Sequence, residues 1–201
     1  ERVDKVKKFR LASPKEATRR QADIPMLFTE IRQPKGNYIV IPKVSSENRR
    51  YIPLGFLAPD IICNNTIKFV PDATLYHFGV LCSNVHNAWM RLVAGRLKSD
   101  YQYSNTIVYN NFPWPEPTSE QQKKIEYTAQ AILNARALYP DSSLADMYDE
   151  LDMPPELRKA HQENDKAVMR AYGFPIKETT ETRCVIELMN MYQKKLEGQN
   201  L

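Results

Sequence analysis

The chain has 201 residues, of which 42% are hydrophobic and 26% are charged, a composition typical of a folded protein and not of a disordered one. The formal net charge is +4, and no apolar run approaches the roughly 18 residues that a membrane-spanning helix needs. The 6 glycines are isolated, so neither GxGxxG nor GxxxxGK[ST] can be assembled, which excludes the common nucleotide-phosphate loops.

The chain starts with ERVDKVKKFR, which lacks both an initiator Met and the apolar core of a signal peptide. Its cysteines, Cys63, Cys82 and Cys184, are widely spaced and form no CxxC pair. They are typical of reduced thiols in a cytoplasmic protein, not of a disulfide framework. We therefore expect a piece of a longer cytoplasmic protein.

The first half mixes strand and helix patterns. Short apolar runs bounded by Gly, Pro, Asp and Asn predict buried strands at Tyr38–Ile41, Tyr51–Phe56, Ile61–Cys63 and Ile67–Val70. The period then changes to 3.6 residues, and the apolar positions from Leu75 to Val93 predict one central, buried helix of about five turns. Thr106–Tyr109 returns to a strand pattern.

A proline-rich segment, Phe112–Pro117, separates this half from a helical one, because its three prolines remove backbone donors. Thr118-Ser119 then predicts a helix N-cap, with Gln121 or Gln122 as the capping partner. Three amphipathic helices follow, bounded by Pro140, Pro155, Gly173 and Gly198. The prediction is an α+β fold, with a mixed domain at 1–115 built around the long buried helix and a small all-α domain at 116–201.

The net charge is unevenly placed along the chain. Residues 1–115 hold 17 Lys and Arg and 9 Asp and Glu, a formal charge of +8, whereas residues 116–201 hold 11 and 15, a charge of −4. Such an asymmetry indicates a polyanion-binding half beside a neutral one, although two merely solvated surfaces are the plainer alternative.

Basic residues of the first half alternate with polar ones in two segments, PKVSSENRRY and GRLKSDYQY. Guanidinium, hydroxyl and amide donors in one loop are the set that commonly contacts DNA phosphates. The candidate contacts with the DNA backbone or groove are Lys43, Ser45, Ser46, Asn48, Arg49, Arg50, Arg96, Tyr101 and Tyr103.

Lys98 and Asp100 are the candidate base-reading pair. In extended backbone, residues i and i+2 point to the same side, so both side chains can face one base pair. Lys donates to guanine O6 and N7, and a carboxylate accepts from cytosine N4, so the pair is predicted to read one G·C pair in the major groove. The alternative is a surface ion pair with no role in DNA binding.

His77, Cys82 and His86 lie on or near the predicted central helix. A zinc site would need a fourth ligand and a pairing such as HExxH or CxxC, and the sequence has neither. We predict packed core residues here, with no metal site and no catalytic residue in the chain. An enzyme built on these three residues is a rival hypothesis.

Long strings of the chain resemble the MmeI-like single-chain restriction–modification enzymes, among them FRLASPKEATRR, IPKVSSENRRYIPLGF, PDATLYHFGVLCSNVHNAWMR, AGRLKSDYQYSNTIVYNNFPWPEP and LYPDSSLADMYDELDMPPELRKAHQENDKAVMRAYGF. In that family a nuclease domain, a helical spacer and an adenine-N6 methyltransferase domain precede a target-recognition domain and a C-terminal helical domain. The chain resembles the last two, and the positions of Lys98 and Asp100 resemble base-reading positions.

The resemblance implies sequence-specific recognition of double-stranded DNA for a methyltransferase that flips adenine out of the stack. The implied partners are double-stranded DNA and the upstream methyltransferase domain of the same chain, in a prokaryotic cytoplasm and away from any membrane. The chain itself would bind no cofactor. The parent would use S-adenosylmethionine (SAM), and Mg²⁺ if it carries a nuclease. The alternative function is a partner-binding or structural helical module without direct DNA contact.

Overall fold

The structure is a computed structural model that describes residues 1–199, with the Gln199 side chain left undescribed. Helices and short antiparallel strands are mixed along the chain, which confirms the predicted α+β class. The chain divides into two units, Glu1–Pro34 and the part that starts at Lys35.

The first unit contains α1 (Arg2–Leu11), α2 (Glu16–Arg20) and a 3-10 turn at Gln21–Asp23. No residue of α1 is buried. Arg10 donates from its guanidinium to the carbonyls of Gln21, Ile24 and Leu27, at 2.8, 2.8 and 2.7 Å. This arginine therefore satisfies backbone acceptors within its own unit.

The first sheet of the second unit has the order β3-β1-β4, formed by β1 (Tyr38–Pro42), β3 (Gly55–Leu57) and β4 (Ile67–Val70). Both pairings are antiparallel, and Ile39 lies opposite Phe56 and Val70. The predicted strands at Tyr38–Ile41 and Ile67–Val70 are confirmed.

Two strand predictions in this region need correction. Residues 51–54 are not in a ladder, because Pro53 lacks an N–H and the neighbouring backbone groups bond to side chains instead. Ile61–Cys63 forms no strand either: the Ile61 carbonyl accepts from the Tyr38 hydroxyl at 2.6 Å, and Ile62 is 72% exposed. A short apolar run by itself does not ensure a partner strand.

The second sheet has the order β2-β6-β5. It consists of β2 (Val44–Ser45), β5 (Gly95–Leu97) and β6 (Asp100–Gln102), all paired antiparallel. Because Leu97 pairs with Asp100, residues 98 and 99 form a two-residue hairpin turn.

The predicted central helix is two helices, α3 (Leu75–Cys82) and α4 (Asn84–Val93). Ser83, at φ −75° and ψ 159°, interrupts them, and its hydroxyl accepts from the backbone N–H of His86 at 3.3 Å. The prediction of one helix was wrong because a serine cap starts a new helix without disturbing the apolar spacing.

Thr106–Tyr109 is not a strand but part of a π-helical turn at Asn105–Tyr109. Ser104 caps this turn by accepting from the N–H of Ile107 at 3.4 Å. The Trp89 indole donates to the Val108 carbonyl at 2.9 Å, so the turn is attached to α4. The β-branched residues that favoured a strand here are overridden by these capping and tertiary contacts.

The second half contains α5 (Ser119–Ala137), α6 (Leu144–Met147), α7 (Pro155–Ala171) and α8 (Glu181–Gln199). Thr118 and Gln121 form the predicted capping box, and α7 begins at Pro155 as predicted. Gly173 has φ +71°, the left-handed conformation that ends helices. Helix α8 continues past Gly198 to Gln199.

A single hydrophobic core joins the strands and helices of the second unit. Helix α3 packs against α5 at Gly79, where an added Cβ would lie 2.6 Å from Ile125 Cγ2. The Gly79 carbonyl also accepts from Asn164 Nδ2 of α7 at 2.7 Å. This close contact fixes the helical half against the half that carries the hairpin.

Candidate nucleic-acid interface

The β5–β6 hairpin presents an exposed tip. Gly95 to Ser99 are all exposed, and Lys98 occupies the first turn position with φ +56°. A positive φ in a non-glycine residue is uncommon and costs about 1 kcal/mol. The extended backbone that the sequence predicted at Lys98 is therefore wrong, and Lys98 projects from the tip while Asp100 starts the return strand.

Asp100 connects the hairpin to the loop after β2. Its Oδ1 accepts from the backbone N–H of Glu47 at 3.3 Å, and the Glu47 carboxylate lies 3.7 Å from the Arg96 guanidinium. No ion pair within residues 1–199 joins Lys98 to Asp100. Both side chains are thus available for groups outside the chain, Asp100 through its second carboxylate oxygen.

Arg96 stabilises the turn from the face of the hairpin opposite to Asp100. Its guanidinium lies 3.8 Å from the centre of the Tyr101 ring, and Nη1 donates to the Ser99 carbonyl at 2.6 Å. A cation over an aromatic ring contributes about 0.5–1 kcal/mol at an exposed site. Arg96 is exposed but already engaged within the hairpin.

The loop that follows β2, residues 46–50, is closed by local hydrogen bonds. The N–H of Asn48 donates to Ser46 Oγ at 3.3 Å, and the N–H of Arg49 donates to the Ser46 carbonyl at 3.2 Å. Asn48 and Arg50 are exposed. The compact turn places the predicted polar donors next to the hairpin through the Glu47–Asp100 bond.

A cleft of about 480 Å³ opens between this loop, α4 and the start of α8. Arg91 lines it but is paired with Glu181 through two hydrogen bonds of 2.7 and 3.0 Å. Arg49 and Arg50 also line it, and neither is in an ion pair within the described residues. The buried Nε of Arg49 has no hydrogen-bond partner among them. Three arginines (Arg49, Arg50 and Arg91) and three glutamates (Glu47, Glu150 and Glu181) line the cleft, so its formal charge is balanced. Arg49 and Arg50 are nevertheless outside any salt bridge of the described residues, and their guanidinium groups can contact an anion.

Three of the predicted contact residues are buried. Ser45 is 4% exposed, Tyr101 8% and Tyr103 3%. The Tyr103 hydroxyl bonds to His86 Nε2 at 3.0 Å, and burial raises the pKa of this phenol. These three side chains lie beneath the surface and are not part of it. Lys43 is half-buried, and its backbone bonds to Thr66 and Tyr103 at 2.8 Å each.

The residues of the rival metal site are dispersed. Cys82 and His86 are fully buried, as predicted for core residues, and burial raises the pKa of the Cys82 thiol to about 12 and lowers that of His86 to about 3. His77 instead accepts from the N–H of Thr74 through Nδ1 at 3.1 Å and caps α3. Within residues 1–199, no three His, Cys, Asp or Glu side chains are grouped to hold a metal ion.

Sequence reasoning missed Glu47, Leu97 and Gln102. Glu47 holds the loop against the hairpin, and Leu97, 53% exposed, lies directly opposite Asp100. Gln102 lies two residues beyond Asp100 on β6, so their side chains share one face of the strand. Gln102 could have been found from the strand alternation that starts at Asp100, whereas no sequence pattern pointed to Glu47.

Comparison with known proteins gives two family matches. The family model described as MmeI, target recognition domain, matches residues 1–116, and the model described as MmeI, C-terminal domain, matches residues 118–198. No helix of the described residues is long and apolar enough to cross a membrane.

Two individual proteins are similar over nearly the whole chain. One is the DNA methyltransferase A of Bacillus subtilis (strain 168), 39% identical over 197 residues, which are 98% of this chain and 22% of that protein. The other is the type IIL restriction-modification enzyme MmeI, whose structure is known in complex with DNA. It has a TM-score of 0.87 and 48% identity, over 97% of this chain and 26% of that one. The chain thus spans about a quarter of these relatives or less.

Proposed function

The chain belongs to the MmeI family, as its target recognition and C-terminal parts, and on that basis we propose that it recognises a specific sequence in double-stranded DNA. The β5–β6 hairpin enters the major groove, whose width admits a two-stranded ribbon. The MmeI structure in complex with DNA, at 48% identity, supports this assignment.

The single observation that carries the proposal is the backbone of Lys98. A two-residue hairpin turn that needs a positive φ favours Gly or Asn, which adopt it at little cost. A lysine held there at φ +56°, exposed at the tip of the hairpin, indicates that the side chain is kept for a contact. In this proposal Lys98 donates to guanine and Asp100 accepts from cytosine of one G·C pair. The pairing rests on the place of both residues at the end of one hairpin and on the family resemblance, since extended backbone at Lys98 no longer supports it.

Phosphate contacts come from the loop beside the hairpin. Arg49 and Arg50 are the cleft arginines without a salt bridge among the described residues, and Asn48 lines the cleft with them. Lys43 and Ser46 are further donors in the same stretch of sequence. Such contacts position a protein on DNA without reading its sequence. The buried Ser45, Tyr101 and Tyr103 leave the contact set in this proposal, and Arg96 acts by holding the turn.

The parent protein is a SAM-dependent DNA adenine-N6 methyltransferase in this proposal, with Mg²⁺ needed only if it also carries a nuclease. The methyltransferase relative supports the first part. The upstream methyltransferase domain would be the second partner of the chain, beside DNA. We also propose the boundary between recognition and C-terminal domains near residues 115 and 116, which the change of family model supports.

The test is a reversal of the pair, Lys98→Glu with Asp100→Arg, in the full-length parent. Exchanging donor and acceptor should invert the preference from G·C to C·G at one position of the site, with a discrimination of about 1–3 kcal/mol. The site is read by selecting methylated duplexes from a randomised pool.

An unchanged selected site would show that Lys98 and Asp100 do not read bases. The helical partner-binding alternative is separated by the binding of a random-sequence duplex at increasing salt. DNA binding requires log K to fall by about 0.9 for each phosphate contacted per unit of log salt, whereas a protein-binding module shows no such slope.

A further inference from the structure

A buried polar chain connects the C-terminal helices to the exposed Arg50. Asp165 of α7 is 5% exposed, and its Oδ2 accepts from the Tyr51 hydroxyl at 2.6 Å. The same hydroxyl oxygen accepts from Arg50 Nε at 3.3 Å. One phenol therefore joins a carboxylate of the helical half to a guanidinium of the cleft.

Asp165 has a second bond that fixes its orientation. Its Oδ1 accepts from the backbone N–H of Asn84, the first residue of α4, at 2.8 Å. This N–H is one of those that a helix leaves without an internal partner, and a negative charge at this end of a helix is favourable. The carboxylate is thus held between α4 and Tyr51.

The segment that follows Arg50 is held by contacts with helices at Tyr51, Ile52 and Leu54. The Tyr51 ring stacks on His161 of α7, with 4.2 Å between centroids and 22° between planes. The N–H of Ile52 donates to Asn87 Oδ1 at 3.0 Å, and the Leu54 carbonyl accepts from Arg136 Nη1 at 2.6 Å. The base of the Arg50 side chain therefore has a defined position.

The direction of these bonds leaves the Tyr51 hydroxyl oxygen to accept from Arg50. Because the Tyr51 hydroxyl donates its hydrogen bond to Asp165, its oxygen is left as an acceptor for Arg50 Nε. An arginine side chain free in solvent loses up to about 2 kcal/mol of rotamer entropy when it is fixed. Part of that loss is already incurred here, and Nη1 and Nη2 remain for the two oxygens of a phosphate.

We propose that Asp165, acting through Tyr51, is a positioning residue that orients Arg50 for a DNA phosphate. This inference rests on the proposed function, and it gives the C-terminal helical domain a part in DNA binding through a buried residue.

The experiment compares two phenol deletions in the 201-residue chain. Tyr51→Phe removes the hydroxyl between Asp165 and Arg50. Tyr172→Phe removes a hydroxyl that also links the two halves, by donating at 2.8 Å to the carbonyl of Pro113, a residue that does not line the cleft. Unfolding in denaturant reports stability for both, and binding of a short random-sequence duplex is measured against salt.

We expect Tyr51→Phe to weaken duplex binding about three- to tenfold, the value of one hydrogen bond. It should also lower the magnitude of the salt slope by about 0.9, one phosphate contact. Tyr172→Phe should lower stability by a similar amount and leave affinity and slope unchanged. In an Arg50→Ala background, Tyr51→Phe should have no further effect on binding.

Asp165→Asn serves as a second variant if Tyr51→Phe does not fold. Its single amide oxygen cannot accept both bonds, so binding should change in the same direction as in Tyr51→Phe. Equal effects of the two phenol deletions, or an effect of Tyr51→Phe without Arg50, would overturn the positioning role. A wild-type chain that binds no duplex would refute the proposed function itself, and with it this inference.

Discussion

On the β5–β6 hairpin every residue from Gly95 to Ser99 is exposed, whereas on α3 every residue from Phe78 to Cys82 is buried. The hairpin has a strained Lys98 at its tip, and its neighbouring loop has two arginines that form no salt bridge within the described residues. The α3 helix has a glycine in contact with α5 and a carbonyl bonded to α7.

The difference separates the residues that set specificity from those that set stability. A surface residue can change with little effect on folding, because exposed substitutions usually alter the free energy of unfolding by less than about 0.5 kcal/mol. A change at a close helix contact has no room to be absorbed. Four predictions test this separation, from the largest expected effect to the smallest.

Gly79→Val should destabilise the protein by about 3 kcal/mol or more. The new Cβ would lie 2.6 Å from Ile125 Cγ2 and 3.0 Å from Asn164 Oδ1, so α3 has to move away from α5. Denaturant unfolding measures the loss. Gly198→Ala is the matched control, because this helical glycine has no atom within 4 Å of its added Cβ. A change of equal size at both positions would contradict the close-packing argument.

Stability should fall as the pH drops from 7 to 5. Burial lowers the pKa of His86 to about 3 and that of His161 well below its ordinary value, so the folded state excludes protons that the unfolded state binds below about pH 6.5. The stability from each neutral histidine is complete above that pH and is lost below it, by about 2 kcal/mol for His86 at pH 5.

Asp165 opposes this trend in part. Burial raises its pKa to about 6, so its contribution is complete below about pH 4 and is lost as the pH rises through 6. The two histidines outweigh the one carboxyl between pH 7 and 5. Unfolding at a series of pH values measures the slope, and His86→Gln should reduce it. An unchanged slope in that variant would show that His86 does not carry the effect.

Arg49→Ala and Arg50→Ala should each weaken duplex binding to all sequences alike, by about 1 kcal/mol, and reduce the salt slope by about 0.9. Unfolding should be nearly unaffected by the change at Arg50, which is exposed, and slightly more affected at Arg49, which is half-buried. Titrations at several salt concentrations with two unrelated duplexes measure both quantities. A change in sequence preference at constant slope would remove these residues from the phosphate contacts.

Lys98→Gly should stabilise the protein slightly, by up to about 1 kcal/mol, because glycine adopts a φ of +56° without strain. The same variant should lose preference at one base pair in the selection experiment. Ser99→Gly is the neighbouring control, since Ser99 does not have a positive φ. Stabilisation without any loss of sequence preference would mean that the Lys98 side chain makes no base contact.

The sequence predicted the helical half well, because its signals are local. Thr118 with Gln121, Pro155 and Gly173 mark helix boundaries through bonds or dihedral angles within a few residues. The strand β1 and the basic character of residues 1–115 were also readable from composition and period. The site residues were chosen in part through family resemblance, and which of them contact DNA stays a prediction.

What the sequence determined alone is the helix boundaries at Thr118, Pro155 and Gly173, the α+β class and the family. Only the tertiary structure decided that the central helix breaks at Ser83, that Tyr101 and Tyr103 face inward, and that Lys98 lies in a turn. Apolar spacing is the same for one helix or two, and a period of two does not say which face is buried. The contact of Asp165 with Tyr51 spans 114 positions, so only the packing of α7 against the first half could bring them together.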